Sequence, residues 1–198
     1  MRNATKKLLA FVLAAAMILS LAPAYAQAAP IENLALNRPA TCSNVEGGTS
    51  FTADKAVDGS ETTRWATDQN VTNPWIEIDL DNGSVLKQIN IMFERDDAGQ
   101  NILGFKVEAE VDGAYQTIYT HSGTRAKQHV KIILPEAVTA DKMKVTVTNY
   151  DGGTLNWASV SICEIEVYSA EFKSLNDVAN ELSALAGTVV DGETLVLP

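Results

Sequence analysis

Between residues 75 and 147 the chain alternates apolar and polar residues in five short stretches. Alternation of this kind is typical of strands that bury one face and expose the other. Turn signals lie at 81–84, 112–113, 121–124 and 151–153. Many short strands at this spacing favour an all-β fold, an antiparallel β-sandwich. The alternating apolar residues are Ile76, Ile78 and Leu80; Ile89, Ile91 and Phe93; Phe105, Val107, Ala109 and Val111; Val130, Ile132 and Leu134; and Met143, Val145 and Val147.

In the predicted last strand, residues 160–168, the alternation slips by one position. Apolar residues fall on even numbers up to Ile162 and on odd numbers from Ile165 onward. Because successive side chains point to opposite faces of a strand, the slip predicts a β-bulge between Cys163 and Glu164. Bulges re-aim side chains beside functional sites, so we expect Glu164 and the Cys163 carbonyl to turn together toward a ligand.

The amino-terminal stretch has the features of an export signal. Arg2 and two lysines precede an apolar run, and a small-x-small motif ends at Ala26. The run is too short to span a bilayer, which needs roughly 20 apolar residues. We therefore expect residues 1–26 to be a signal peptide, residues 27–169 to form the sandwich, and the protein to be secreted or displayed on a bacterial surface.

Residues 170–198 have a different pattern from the predicted sandwich, and this pattern predicts a short helix. Ser174 is a good N-cap, and leucine and valine then recur at helical spacing up to Leu185. This segment is too short to make a core of its own. We interpret it as a linker, a helix and the start of a truncated following domain, similar to the opening of bacterial immunoglobulin-like repeats.

The charge balance excludes two classes of partner. The formal net charge is −10, and residues 1–26 hold three basic and no acidic groups. The remainder therefore carries 12 basic and 25 acidic groups, a formal charge of −13. Such a surface repels nucleic-acid phosphates and anionic lipid headgroups, so we expect no nucleic-acid partner and no membrane binding.

The two cysteines, Cys42 and Cys163, leave two alternatives open. They lie on the predicted first and last strands, and outside the cytosol such a pair can form a disulfide. Alternatively they are two buried thiols that behave as small hydrophobic side chains. Residue patterns alone do not choose between the two.

A turn at residues 53–65 concentrates oxygen ligands. Asp58-Gly59-Ser60 is a turn signal, and the Asp58 carboxylate lies close in sequence to the hydroxyls of Ser60 and Thr63. Ca²⁺ takes roughly 6–8 oxygens from such a flexible set. An ordinary solvated turn has the same residues, but the bulge at Glu164 would supply a second carboxylate.

Four motifs in order resemble those of the discoidin, or coagulation-factor C-type, superfamily. They lie at 33–41, 54–65, 75–80 and 160–168. Within that superfamily the chain is most similar to carbohydrate-binding module family 32 of secreted bacterial glycosidases, over residues 31–169. The resemblance implies a discoidin-like jelly roll with one structural Ca²⁺. The metal ligands it implies are the Lys55 carbonyl, the Asp58 carboxylate, the Ser60 carbonyl, the Thr63 oxygens, the Cys163 carbonyl and the Glu164 carboxylate.

The resemblance also implies a sugar site in the loops beside the calcium turn. Trp157 stands in a polar loop, where its indole is either a platform for a pyranose or an anchor for the loop. Arg95 would bond sugar hydroxyls or pair with its acidic neighbours. The galactose-binding histidine that family members carry shortly after the position of Trp65 is missing, which puts galactose in doubt. The carbohydrate-binding candidates are Trp157, Arg95, Asn101, Asp68 and Asn156.

These features favour a secreted, noncatalytic carbohydrate-binding module that targets a larger extracellular enzyme or adhesin to glycans. We expect a monomeric module within a multidomain protein. The alternative is an adhesion module that recognises a protein or another cell-surface ligand. An enzyme is the third class, since Glu94 and Asp97 resemble a glycosidase pair. Such carboxylates more often belong to a solvated loop, and the sequence has no Gly-x-Ser-x-Gly elbow and no glycine-rich phosphate loop.

Overall fold

The computed structural model describes residues 32–48, 50–94, 101–153 and 156–171. They all fall in the second of the two units into which the chain divides, Ile31–Pro198. The predicted signal peptide and the predicted helix after Ser174 lie outside the described residues. The strands are β1 (Ala40–Cys42), β2 (Trp65–Ala66), β3 (Trp75–Phe93), β4 (Asn101–Val111), β5 (Ala114–Ser122), β6 (His129–Asp151) and β7 (Ser161–Tyr168), with 3₁₀ turns at Glu46–Gly48 and Ala53–Ala56.

The strands pair antiparallel in the order β2-β7-β3-β6-β4-β5, and β1 also pairs with β3. Along one edge of β3, β1 pairs with residues 76–78 and β7 with residues 88–93. β6 runs along the other edge, and its later part also pairs with β4. Buried side chains from both halves of these long strands form one hydrophobic core. The predicted all-β sandwich is confirmed, and no helix in the described ranges could cross a bilayer.

The sequence predicted that the turn signal at residues 81–84 would separate two strands, but the structure has one continuous strand there. β3 continues through it, with left-handed backbone at Asp81 (φ 73°) and Gly83 (φ 76°). The pairing register with β6 shifts between Asp79 and Ser84 instead. The irregularity is absorbed as a bulge because β6 continues alongside. By contrast, Asp112-Gly113 forms the predicted hairpin turn between β4 and β5.

The alternation correctly located most of the core. Ile76, Ile78, Ile89 and Ile91 are at most 1% exposed. The buried face of β3 changes from even to odd numbers where the register shifts between Leu86 and Gln88. The sandwich is therefore held by alternating apolar side chains from strands far apart in sequence.

Cys42 and Cys163 are free thiols in the structure. Cys42 pairs with Ile76 at the start of β3, whereas Cys163 lies beside the end of β3, where β7 pairs with Phe93. The two side chains therefore stand against opposite ends of one long strand. Of the two alternatives, the structure has separate thiols rather than a disulfide, and burial raises the pKa of both.

Candidate functional site

The turn after the Ala53–Ala56 segment folds around the Asp58 carboxylate. The Ser60 N–H donates to Asp58 Oδ1 at 3.1 Å, and Thr63 Oγ1 donates to the same oxygen at 2.8 Å. Thr63 Oγ1 also lies 3.1 Å from the Ser60 carbonyl oxygen. Gly59, with φ 78°, permits the left-handed backbone that this tight arrangement requires. Carboxylate, hydroxyl and carbonyl oxygens therefore converge within six residues.

The predicted bulge in β7 is confirmed. Met92 of β3 pairs with Glu164, and the next residue, Phe93, pairs with Ile162, so Cys163 is the extra residue. The Gly59 N–H donates to Glu164 Oε2 at 3.2 Å. The bulge thus joins the last strand to the Asp58 turn, more than a hundred residues earlier.

Glu164 has surroundings that suit a cation. It is 6% exposed, and its Oε1 has no hydrogen-bond partner. Burial raises the pKa of Glu164 to about 8, with the Asp58 charge adding to the rise and the Gly59 N–H opposing it. A cation beside this carboxylate would satisfy the unpartnered oxygen and favour its charged form.

The donor set fits a hard cation rather than a transition metal. The described residues contain no group of three or more His, Cys, Asp or Glu side chains placed to hold a metal. Two carboxylates supplemented by hydroxyl and carbonyl oxygens are what Ca²⁺ accepts. The structure brings together Asp58, Ser60, Thr63 and Glu164, with Cys163 as the adjoining bulge residue. The Lys55 ammonium lies 3.6 Å from Asp58 Oδ2, so it balances part of the negative charge.

Trp157 is one of the most exposed large apolar side chains described, at 45%. Its backbone N–H lies 3.4 Å from the Gly152 carbonyl oxygen, which folds the loop back tightly. A Cβ at Gly152 would come within 2.4 Å of the Trp157 nitrogen, so only glycine fits there. The Asn70 N–H donates to the Ala158 carbonyl at 2.8 Å, which brings the loop after β2 alongside.

The structure describes three of the other four predicted sugar contacts. Asn101 Nδ2 donates to Asp151 Oδ1 at 2.7 Å, at the base of the Trp157 loop. Asp68 accepts from the Gly47 N–H and from Asn44 Nδ2, both at 3.1 Å, and the Gly47 bond contributes most to lowering its pKa. Asn156 directly precedes Trp157 with φ 52°. Arg95 lies outside the described residues.

Two polar residues that bond to Asn101 were not among the predicted sugar contacts. Asp151 accepts from Asn101 and from the Gly153 N–H, and Arg125 Nη1 donates to Asn101 Oδ1 at 3.3 Å. Asp151 lies in the predicted loop that carries Trp157 but was not named as a contact, and Arg125 follows the turn signal at 121–124. Only the cross-strand position of Asn101, opposite Asp151, could have connected them.

One curated relative is the polysaccharide lyase 8 family protein HylA of Enterococcus faecalis. It is 31% identical to this chain over 121 residues. The match covers 57% of this chain and 8% of the lyase. The chain therefore spans less than a tenth of the length of that relative.

Two solved structures are similar over most of their own length. Chitosan-binding module 1 of a chitosanase/glucanase from Paenibacillus sp. IK-5 has a TM-score of 0.58 and 30% sequence identity, over 69% of this chain and 98% of the module. The family 32 carbohydrate-binding module of Clostridium perfringens NanJ, in complex with galactose, has a TM-score of 0.55 and 19% identity, over 67% of this chain and 93% of the module. The second likeness shows the fold alone.

The F5/8 type C domain family matches residues 39–165. That range begins just before β1 and includes both residues of the Gly59–Glu164 hydrogen bond. The predicted resemblance to the discoidin, or coagulation-factor C-type, superfamily is therefore confirmed. Since the match covers well over half of the sequence, the chain belongs to the F5/8 type C domain family.

Proposed function

We propose that the chain is a noncatalytic carbohydrate-binding module of a secreted bacterial protein, and that it holds a larger extracellular enzyme or adhesin on its glycan. The exposed indole of Trp157 is the main support for this proposal, because its loop begins at Asp151, whose carboxylate is fixed by a hydrogen bond to Asn101. The Paenibacillus relative, by its name, binds chitosan, and the Enterococcus relative is named as a polysaccharide lyase. Both names support a glycan as the ligand.

In this proposal the indole face of Trp157 packs against the apolar face of a pyranose. Sugar hydroxyls then bond the neighbouring polar groups, which are planar amides, carboxylates and a guanidinium. Asn101 is held by Asp151 and Arg125, so its amide is oriented before the sugar arrives. Preorganisation of this kind reduces the entropy lost on binding. The proposed contacts are Trp157, Asn101, Asp151, Arg125, Asp68, Asn156 and Arg95.

We also propose that the Asp58 turn binds a structural Ca²⁺. Asp58, Glu164 and the oxygens of Ser60 and Thr63 would hold the ion, with the Lys55 and Cys163 carbonyls completing the set. Bound there, Ca²⁺ supplies positive charge to two carboxylates, one of them buried with an unpartnered oxygen. It would connect the turn to β7 and leave sugar contact to the Trp157 loop.

The biological effect of such a module is to raise the local concentration of its attached partner beside the glycan. A domain that binds a glycan keeps its attached partner near that glycan, so the partner's encounters become intramolecular. No group of this chain needs to act on a bond for that effect. Targeting of an attached enzyme or adhesin follows from binding alone.

A glycan array with the full chain in Ca²⁺ tests the proposal. We expect binding to one group of related glycans, and we expect Trp157→Ala to reduce it by at least tenfold because it removes the stacking surface. Tyr115→Ala is the matched control, because Tyr115 is also an exposed aromatic residue, 37% exposed, but lies on β5.

Retained binding by Trp157→Ala would place the sugar elsewhere on the molecule. No binding to any glycan by folded, Ca²⁺-treated protein would reject the carbohydrate function. That result would favour the adhesion role toward a protein.

A further inference from the structure

A cavity of about 320 Å³ lies on the solvent side of β3, β6 and β7. None of its described lining residues belongs to the Trp157 loop. Asn90 of β3 pairs with Glu166 of β7 on one side and with Lys131 of β6 on the other, so the three side chains form one row. We call this cavity the sheet-face cleft, and among its lining residues are Glu61, Gln88, Asn90, Met92, Lys131 and Glu166.

The polar groups of the sheet-face cleft are already fixed by one another. Asn90 Nδ2 donates to Glu166 Oε2 at 2.7 Å, and Gln88 Nε2 donates to Asn90 Oδ1 at 2.9 Å. Gln88 is only 2% exposed, although it is on the outer side of its strand. Burial, together with the charge of Glu166 and a hydrogen bond to it, raises the pKa of Tyr168 to about 12. The cleft is therefore a preformed polar surface, which loses little entropy when a ligand binds.

The size and charge of the cleft restrict its ligand. Small-molecule sites typically enclose roughly 300–1,000 Å³, so one or two sugar rings are of suitable size. The charged residues that line the cleft include three carboxylates, those of Glu61, Glu164 and Glu166. If Glu164 is assigned to calcium, the remaining two carboxylates still outnumber the one ammonium, that of Lys131, when His129 is neutral. This balance disfavours anionic ligands such as uronic acids and phosphates. It favours a ligand with an ammonium group, and the amides provide partners for hydroxyls.

We propose that the sheet-face cleft is a second saccharide site, which takes a protonated amino sugar. The ammonium bonds the Glu166 carboxylate, ring hydroxyls bond the amides of Asn90 and Gln88, and Met92 packs against the ring carbons. The inference rests on the proposed function for the class of ligand, and its charge balance assigns Glu164, which also lines the cleft, to the proposed calcium. The cleft and the Trp157 site share no residue.

Isothermal titration tests the cleft separately from the loop. The protein is the full chain carrying Trp157→Ala, in Ca²⁺ and neutral buffer, and the probes are a β-1,4-linked glucosamine trimer and its fully N-acetylated form. We expect the glucosamine trimer to bind at least tenfold more tightly, since acetylation removes the ammonium. Adding Glu166→Gln should weaken its binding about tenfold, the usual order for a charged hydrogen bond.

Two further variants control for folding and for loss of negative charge. Glu136→Gln removes an exposed carboxylate of β6 outside the cleft and should leave binding unchanged. Glu61→Gln changes the exposed rim of the cleft and should weaken binding by a few-fold without affecting the melting temperature. If the Trp157→Ala protein binds neither trimer, the second site does not exist, whatever the glycan array shows for the loop. Equal binding of the two trimers, or equal effects of Glu166→Gln and Glu136→Gln, would overturn the ammonium contact.

Discussion

Glu164 is a carboxylate in surroundings that solvate it poorly. One of its oxygens accepts the Gly59 N–H, and the other has no partner in a residue that is 6% exposed. A buried polar group left unsatisfied costs about 1–3 kcal/mol. Without a cation, therefore, the carboxylate lowers the stability of the fold, and it does so less when it holds a proton.

This cost predicts how the calcium-free protein responds to pH. The pKa of Glu164 is about 8 in the fold, against an ordinary value of 4.5. Protonation therefore stabilises the fold fully below about pH 4.5, and that contribution is lost as the pH rises through about 8. In urea unfolding with a chelator, the free energy of unfolding should fall between about pH 5 and pH 8, relative to Glu164→Gln. A difference between the two proteins that stays constant over this interval would contradict the prediction.

At the scale of the element, local turn signals proved ambiguous. Asp112-Gly113 ends β4, but the similar signal at 81–84 lies within β3. Both signals contain residues with left-handed backbone. The difference lies in the partner, because β6 runs alongside both parts of β3 and keeps them in one ladder. A local sequence window contains no information about such a partner strand.

The Trp157 loop depends on one glycine. Gly152→Ala should reduce glycan binding more than tenfold and lower the free energy of unfolding by about 1–3 kcal/mol, because the new Cβ would lie 2.4 Å from a backbone nitrogen. Glycan titration and urea unfolding measure the two effects.

Gly113→Ala is the matched control for that variant. Gly113 has φ 77°, but a methyl group added there would meet nothing within 4 Å. The substitution should therefore cost about 1 kcal/mol and leave glycan binding intact. Unchanged binding by Gly152→Ala would mean that the loop geometry does not position the sugar contacts.

At the scale of the whole molecule, the Asp58 turn and β7 close the sandwich between distant parts of the chain. A Ca²⁺ ion bound between them would stabilise the whole fold, by about 2.7 kcal/mol at a hundred times its dissociation constant. Asp58→Ala should therefore lower the melting temperature in Ca²⁺ and abolish the difference between Ca²⁺ and chelator. Calorimetry in both buffers measures this, with Asp54→Ala as a control that removes a neighbouring exposed carboxylate. A calcium-dependent shift that survives in Asp58→Ala would sink the assignment.

The sequence predicted the fold and the bulge beside the Asp58 turn, but it did not predict the contacts at the base of the Trp157 loop. Alternation reports burial directly, and the slip at Cys163 located the bulge because a strand reverses its faces when one residue is added. The loop contacts carry no such periodicity. Arg125 and Asp151 reach Asn101 from 24 and 50 residues away, so only the folded chain places them together.

The free state of Cys42 and Cys163 has a practical consequence for how the protein can be made. No covalent cross-link between them has to form before the sandwich is complete, so folding requires no oxidant and no disulfide isomerase. The chain should therefore fold into the same sandwich in a reducing bacterial cytoplasm as under oxidising conditions. Reducing agents can therefore stay in every buffer used for the calcium and glycan measurements.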